Sequence, residues 1–364
     1  MTTTDRNNAV TSILEKYFST GEQEDAPSST PAITDDLDII FNTTVWGYRE
    51  ILLVIAVARL IDPSYKAYSG FYACNPRALY EGPIREQLLT RSIPHRKSGP
   101  LNVAKAAIGI NEQWMAQRRP AVVAQSVVRI VKLLDSYNEA ELGAFLTLLL
   151  SRLLSEASRV ANLVVETSPQ SDPGFLRDIS SELISSVPDG GNTPQRTVGL
   201  LMQAYHEDLQ SGIVVGGFKD SASTTNTTSK KPGDVTEELI DGTLIKVYEI
   251  TVKPFTLNRM AESYESVKDY ATTNDSPIVE VMVICREQDV PSDTSSGDSI
   301  SYYGKLEHQD VTYHFIDIFQ WISSQLLRMS SDARLAYFES LGNYIAEVNT
   351  AEAVKLKWNS LNQQ

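Results

Sequence analysis

Two acids and a lysine, Asp234, Glu249 and Lys253, fall within the stretch GDVTEELIDGTLIKVYEITVK (233–253) at spacings that bear on metal chemistry. An Asp-Gly pair at 241 and 242 separates two β-prone runs, VTEELI and TLIKVYEITV, which is a strong short hairpin signal. A two-residue loop there sets Ile240 opposite Thr243 and carries the pairing down to Asp234 opposite Glu249. Directly opposed side chains have Cβ atoms about 4.5–5.5 Å apart, and like charges so placed destabilise a sheet. A divalent cation reverses the sign of that interaction. Magnesium takes hard oxygen ligands, typically one or two carboxylates, and leaves its other positions to water and substrate phosphate. The same residues also fit a plainer description, with Asp234 a loop residue at a strand entrance and Glu249 a solvated side chain on an amphipathic strand. A bulge in the hairpin would break the pairing.

The elements that must position these residues follow from periodicity. Pro254 stops the second strand, and Leu257, Met260, Ala261, Tyr264 and Val267 then recur at helical spacing. IVEVMVIC (278–285) is the continuous apolar run of a strand buried on both faces. The order is strand, strand, helix, strand. A polar loop (290–301), a strand VTYHFIDI (311–318) and amphipathic helices from about Phe319 to Trp358 complete the chain. Upstream, helical spacing runs through Trp46–Ile61, Ala121–Leu134, Glu139–Val165, Gly174–Val187 and Thr193–Leu209. Residues 20–36 and 217–233 are rich in Ser, Thr, Pro and Gly and lack apolar periodicity. The expected organisation is a partly flexible N-terminal segment (1–45), a mainly helical region (46–216), a polar linker or loop (217–233) and a core with C-terminal helices (234–364). The expected fold class is α/β (α+β), a mixed central sheet with a large helical N-terminal region.

Composition narrows the function. The chain has 364 residues and is 42% hydrophobic, enough to fill a real core. Arg59 and Arg152 interrupt the two longest apolar stretches, which are too short for a membrane span of roughly 20 residues. The start, MTTTDRNNAV, has no basic, apolar and small-residue succession of a secretion signal, and two cysteines make no disulfide framework, so a reducing cytoplasm is expected. No dinucleotide fingerprint, P-loop, hydrolase elbow or zincin motif is present, and His308 and His314 are poorly spaced for zinc. The net charge of −14 opposes nonspecific coating of nucleic acid. Charge is nevertheless segregated. Residues 75–132 hold ten Lys and Arg against three acids, a balance of +7, and the remainder therefore carries −21. Within that segment Arg77, Arg96, Lys97, Arg118 and Arg119 are of the types that contact phosphates and guanine edges, with RSIPHRKSGPLN (91–102) the densest loop. A solvated basic surface paired with the acidic remainder is the alternative.

An acid opening one strand, an acid late in the next, a nearby lysine, a helix and a buried strand together resemble the PD-(D/E)XK nuclease core. More closely, residues 233–253 resemble the corresponding stretch of the SacI-type restriction endonucleases, with a GDV opening, a central Asp-Gly and an acid followed four residues later by lysine. REILLVIAVARLIDP (49–63), the basic segment around Arg77 and HFIDIFQW (314–321) have counterparts in the same order. The resemblance implies a PD-(D/E)XK-like core in which Asp234 and Glu249 hold Mg2+ and a basic residue orients or activates the attacking water. It also implies sequence-specific hydrolysis of double-stranded DNA by a cytoplasmic homodimer with no membrane partner. Lys253 is the candidate for the basic role. It stands four residues after the acid rather than two, about 13 Å along a regular strand, with Thr251 between them, so it needs a bulge to serve. Lys230 and Lys231 are the alternatives. A noncatalytic DNA-binding or regulatory protein on a decayed core is the competing expectation.

Overall fold

A computed structural model describes residues 2–23, 31–163, 165–220, 222 and 230–363. The chain divides into two compact units, Met1–Leu163 and Val164–Gln364.

The first unit is helical: α1 (Thr3–Gln23), α2 (Pro31–Phe41), α3 (Gly47–Ile61), α4 (Ala121–Leu134) and α5 (Glu139–Ala161), with short helical turns between α3 and α4. Helix α3 is buried from Gly47 through Arg59, the pattern of a central helix apolar on nearly every side. The charge of Arg59 is tolerated there because its guanidinium donates to the carbonyls of Leu134 (3.3 Å), Tyr65 (3.2 Å) and Tyr137 (2.9 Å). Helix α5 opens on a capping box between Asn138 and Glu141. The N-terminal segment differs from expectation. Val10, Leu14 and Phe18 at i, i+4 spacing on α1, with Leu37 and Ile40 on α2, are buried in the unit's core. Of the expected loose stretch 20–36, residues 20–23 and 31–36 are helical and 24–30 lie outside the described residues.

The second unit opens with α6 (Pro173–Ser186) and α7 (Asn192–Asp208) and continues into a mixed α and β arrangement around a seven-stranded sheet. The strands are β1 (Ile213–Gly216), β2 (Val235–Leu239), β3 (Leu244–Ile250), β4 (Glu280–Cys285), β5 (Ser295–Ser299), β6 (Tyr302–His308) and β7 (Val311–Asp317), in the order β1-β2-β3-β4-β7-β6-β5. The pairs β3/β4 and β4/β7 are parallel and the rest antiparallel. A parallel pair needs a crossover, and α8 (Leu257–Asn274) supplies it between β3 and β4. The C-terminus forms α9 (Ile318–Arg328), α10 (Ser331–Ala346) and α11 (Glu352–Asn362).

Alternation along the strands feeds two cores. Tyr248, Ile250 and Ile284 pack with Leu183 of α6, Leu201 of α7, Ile322 of α9, Leu341 of α10 and Trp358 of α11. Val247, Val281, Val283 and Phe315 pack instead with Met260 and Val267 of α8. Strand β4 contributes to both, which is why its sequence is apolar without alternation. This packing also moves the boundary between units. The division falls at 163/164 rather than at 217–233 because α6 and α7 share a core with the sheet. Within 217–233, residues 221 and 223–229 lie outside the described residues. The expected loop 290–301 contains β5, and neither β6 nor β1 was anticipated.

Candidate functional site

The β2–β3 hairpin is built differently from the simple reading, yet it brings Asp234 and Glu249 side by side. The Leu239 N–H donates to the Thr243 carbonyl (2.8 Å) and the Gly242 N–H to the Leu239 carbonyl (2.9 Å), so the loop holds three residues, Ile240 to Gly242. Gly242 takes φ +86°, a conformation that suits glycine. Ile240 therefore does not face Thr243. A bulge between Glu237 and Glu238 then shifts the register back, giving Glu237 opposite Lys246 and Val235 opposite Tyr248. The next residues outward are Asp234 and Glu249. The Asp234 N–H donates to the Tyr248 carbonyl (2.9 Å), and Asp234 Oδ2 accepts from the Ile250 N–H (2.9 Å), so the two bonds bracket Glu249 along the strand.

The approach of Asp234 to β3 depends on the residue before it. A Cβ on Gly233 would stand 2.8 Å from the Tyr248 carbonyl oxygen and 2.6 Å from a Val247 methyl, which only glycine avoids. From α7, Gln195 Nε2 reaches the carbonyls of Gly217 (3.3 Å), Asp220 (3.2 Å) and Asp234 (3.5 Å), tying the strand entrance to the helix.

Glu249 is 5% exposed and Asp234 is half-buried. Burial, first, and then the neighbouring Asp234 charge hold the Glu249 carboxyl well above the usual carboxylate range. A hydrogen bond shared with Asp234 acts in the same direction, while the Ser263 hydroxyl and the Arg259 guanidinium oppose it. Ser263 Oγ of α8 donates to Glu249 Oε1 at 2.9 Å. The pair is thus arranged either to share a proton or to share a cation. Among the described residues no group of three or more His, Cys, Asp and Glu side chains is placed to hold a metal ion. The donor set here is two adjacent carboxylates, which fits magnesium, an ion that takes one or two and completes its shell with water and phosphate.

The remaining sequence candidates are dispersed. Lys253 is exposed, beyond the end of β3. Its N–H donates to Thr251 Oγ1 (3.1 Å) and its carbonyl accepts from the same hydroxyl (2.9 Å), a local turn in place of the strand bulge its role requires. Lys231 pairs with Asp220, and Lys230 is exposed at φ +56°. Arg77, Arg96, Lys97, Arg118 and Arg119 all belong to the first unit, whereas the acids belong to the second. Arg77 lies 3.6 Å from Glu81, and the Arg96 guanidinium lies over the Trp46 ring, 4.4 Å from its centroid. Lys97 and Arg119 are exposed and Arg118 half-buried. His95, in the same basic loop, is buried with Nδ1 2.8 Å from the Ile93 carbonyl. His308 packs edge-on to Tyr264, and His314 Nδ1 lies 3.0 Å from the Tyr302 hydroxyl.

Three residues at the site were not picked out from sequence: Gln195, Arg259 and Ser263. Arg259 and Ser263 are four apart on α8, so they share a face, and that spacing was the available signal. No protein-family model matches the chain, and no curated protein matches it.

Proposed function

We propose that this chain is a magnesium-dependent endonuclease of the restriction type, built on a PD-(D/E)XK-like core and cutting double-stranded DNA at a specific short sequence. The observation that carries the reading is the acid pair: a half-buried Asp234 and a buried Glu249 set side by side at the hairpin, with Glu249 pushed far from its ordinary ionisation. Such an arrangement costs stability unless a cation occupies it, and stored electrostatic cost of this kind marks functional sites.

Each residue then has a stated task. Asp234, held through the Ile250 N–H, and Glu249, held through the Ser263 hydroxyl, present oxygens on one side of the sheet. Together they fix the position of a divalent cation against a DNA phosphate. A bound magnesium would supply Lewis acidity at the phosphate and lower the pKa of the attacking water. The basic segment of the first unit would supply phosphate and base contacts, with Arg77, Arg96, Lys97, Arg118 and Arg119 as the groups concerned. A homodimer would bring two such sites to two strands.

The second reading, a noncatalytic DNA-binding or regulatory protein on the same core, draws on Thr251, which stands where the nuclease pattern carries its lysine. Incubating the purified protein with long duplex DNA from several sources separates the two. Discrete bands in magnesium and intact DNA in EDTA are expected. A smear without preferred ends would remove sequence specificity, and uncut DNA from every source would favour the second reading.

A further inference from the structure

The cation expected beside the acid pair is not where strand spacing puts it. After Ile250 the chain leaves the strand through the Thr251–Lys253 turn, which carries the Lys253 side chain out to an exposed position. The same turn presents the Thr251 hydroxyl, two residues from Glu249 and on its side of the strand. Arg259, in the first turn of α8, donates to that hydroxyl from Nη1 at 2.5 Å and to the Lys253 carbonyl at 3.3 Å. Its guanidinium also lies over the Phe255 ring, 5.4 Å from the centroid. Both hydrogen bonds leave from Nη1, and the Nη2 and Nε edge makes none to the described residues.

We propose that Arg259 is the cationic group of this site, positioned by Thr251 and aimed at the scissile phosphate, and that Lys253 has no part in the reaction. The inference rests on the nuclease reading and specifies its chemistry further. A guanidinium presents donors in a planar fork that matches two phosphate oxygens, and it stays protonated at any working pH. It therefore cannot take a proton from water. In the hydrolysis, a water oxygen bonds to phosphorus, the bond from phosphorus to the leaving sugar oxygen breaks with its electron pair, and the proton lost by water goes to solvent as the leaving oxygen gains one. Arg259 takes part in neither transfer. It pairs with the negative charge that accumulates on the phosphoryl oxygens.

The test compares the full-length parent with R259A, R259K and K253A in single-turnover cleavage, and measures calcium affinity by calorimetry without DNA. R259A should lose about 100- to 1,000-fold in cleavage, as loss of one transition-state donor does. R259K, which keeps the charge and loses the fork, should recover part of it, and K253A should stay within about threefold of the parent. Calcium affinity of R259A should tighten, because a positive neighbour has been removed. R259A cutting within about threefold of the parent, K253A losing as much as R259A, or calcium binding unchanged or weakened in R259A would each overturn the assignment. If the parent binds calcium and cuts no DNA, the nuclease reading fails by itself. The calcium titration then decides alone, with tighter binding by R259A supporting its place beside the acids and unchanged or weaker binding overturning it. A parent that binds no calcium overturns both.

Discussion

Glu249 is held at 5% exposure with Asp234 as its neighbour, so the proton-bound form is favoured in the folded chain relative to the unfolded one. The sign of the pH dependence follows. A carboxyl whose folded pKa is raised binds more protons folded than unfolded, so stability is highest below the unfolded value near 4.5 and falls as pH rises from there through the raised folded value. Glu249→Gln should remove that fall in EDTA and raise stability at neutral pH by on the order of 1 kcal/mol. Denaturant melts of parent and variant between acid and neutral pH measure it, and parallel pH profiles would refute it. Asp241, by contrast, is exposed and accepts from the Thr243 N–H at 2.9 Å, so Asp241→Ala should lower stability only slightly and leave cutting intact. At this scale the acid pair was legible because strand register converts sequence spacing into contact. Arg259 and Ser263 were not, since apolar periodicity identifies the buried face of α8 and says nothing of which polar residues flank it.

The hairpin as an element shows how the two acids come together by a different construction from the simple one. A three-residue loop and a bulge at Glu237/Glu238 each shift the count by one residue in opposite senses, and the shifts cancel before Val235 meets Tyr248. Nothing in the composition of TEELIDGTLIK announces the bulge. The strands that escaped notice, β1, β5 and β6, stand toward the two ends of the sheet order, where SSGDS and YYGKLEH lack the apolar runs that burial imposes on β4. The helices α3 to α7 were legible nearly to their ends because each buries an apolar stripe, whereas α1 (Thr3–Gln23) fell in the segment expected to be partly flexible. Gly233 supplies the element-scale prediction. Gly233→Ala places a Cβ 2.8 Å from the Tyr248 carbonyl, so β2 must draw away from β3. The expected result is a loss of about 2 kcal/mol in urea melts and a cleavage defect persisting at temperatures where the variant is fully folded. Parent-like stability and cutting together would show that the close approach is not needed.

For the whole molecule, the separation of cores carries the main consequence. The apolar cluster of the first unit lies within residues 10–157, and those of the second lie within 176–358. A fragment of residues 165–363 should therefore unfold cooperatively by circular dichroism and bind calcium, and a broad, noncooperative melt would contradict it. The charge segregation read from the sequence is partly consumed inside the first unit, where Arg129 pairs with Asp36 and Lys132 with Glu112 (2.5 Å). Arg96 lies against Trp46, and Lys97 is exposed. Neutralising both, R96Q with K97Q, should flatten the salt dependence of DNA binding by about 1–2 in the log–log slope. An unchanged slope would assign them to the surface alone. No helix among the described residues is long and apolar enough to cross a membrane.

The central claim is that Asp234 and Glu249 form one cation site against DNA, and removing either charge tests it by separating binding from chemistry. With no cation bound, the negative charge left on the acid pair repels the phosphate backbone, and a divalent ion relieves that repulsion. Folded Asp234→Ala and Glu249→Ala variants, assayed for cleavage in magnesium and for cognate binding by gel shift in EDTA, are predicted to lose cleavage entirely while binding DNA as tightly as the parent or more tightly. Substantial cleavage by either variant would contradict the account, because it would take that residue out of the metal site.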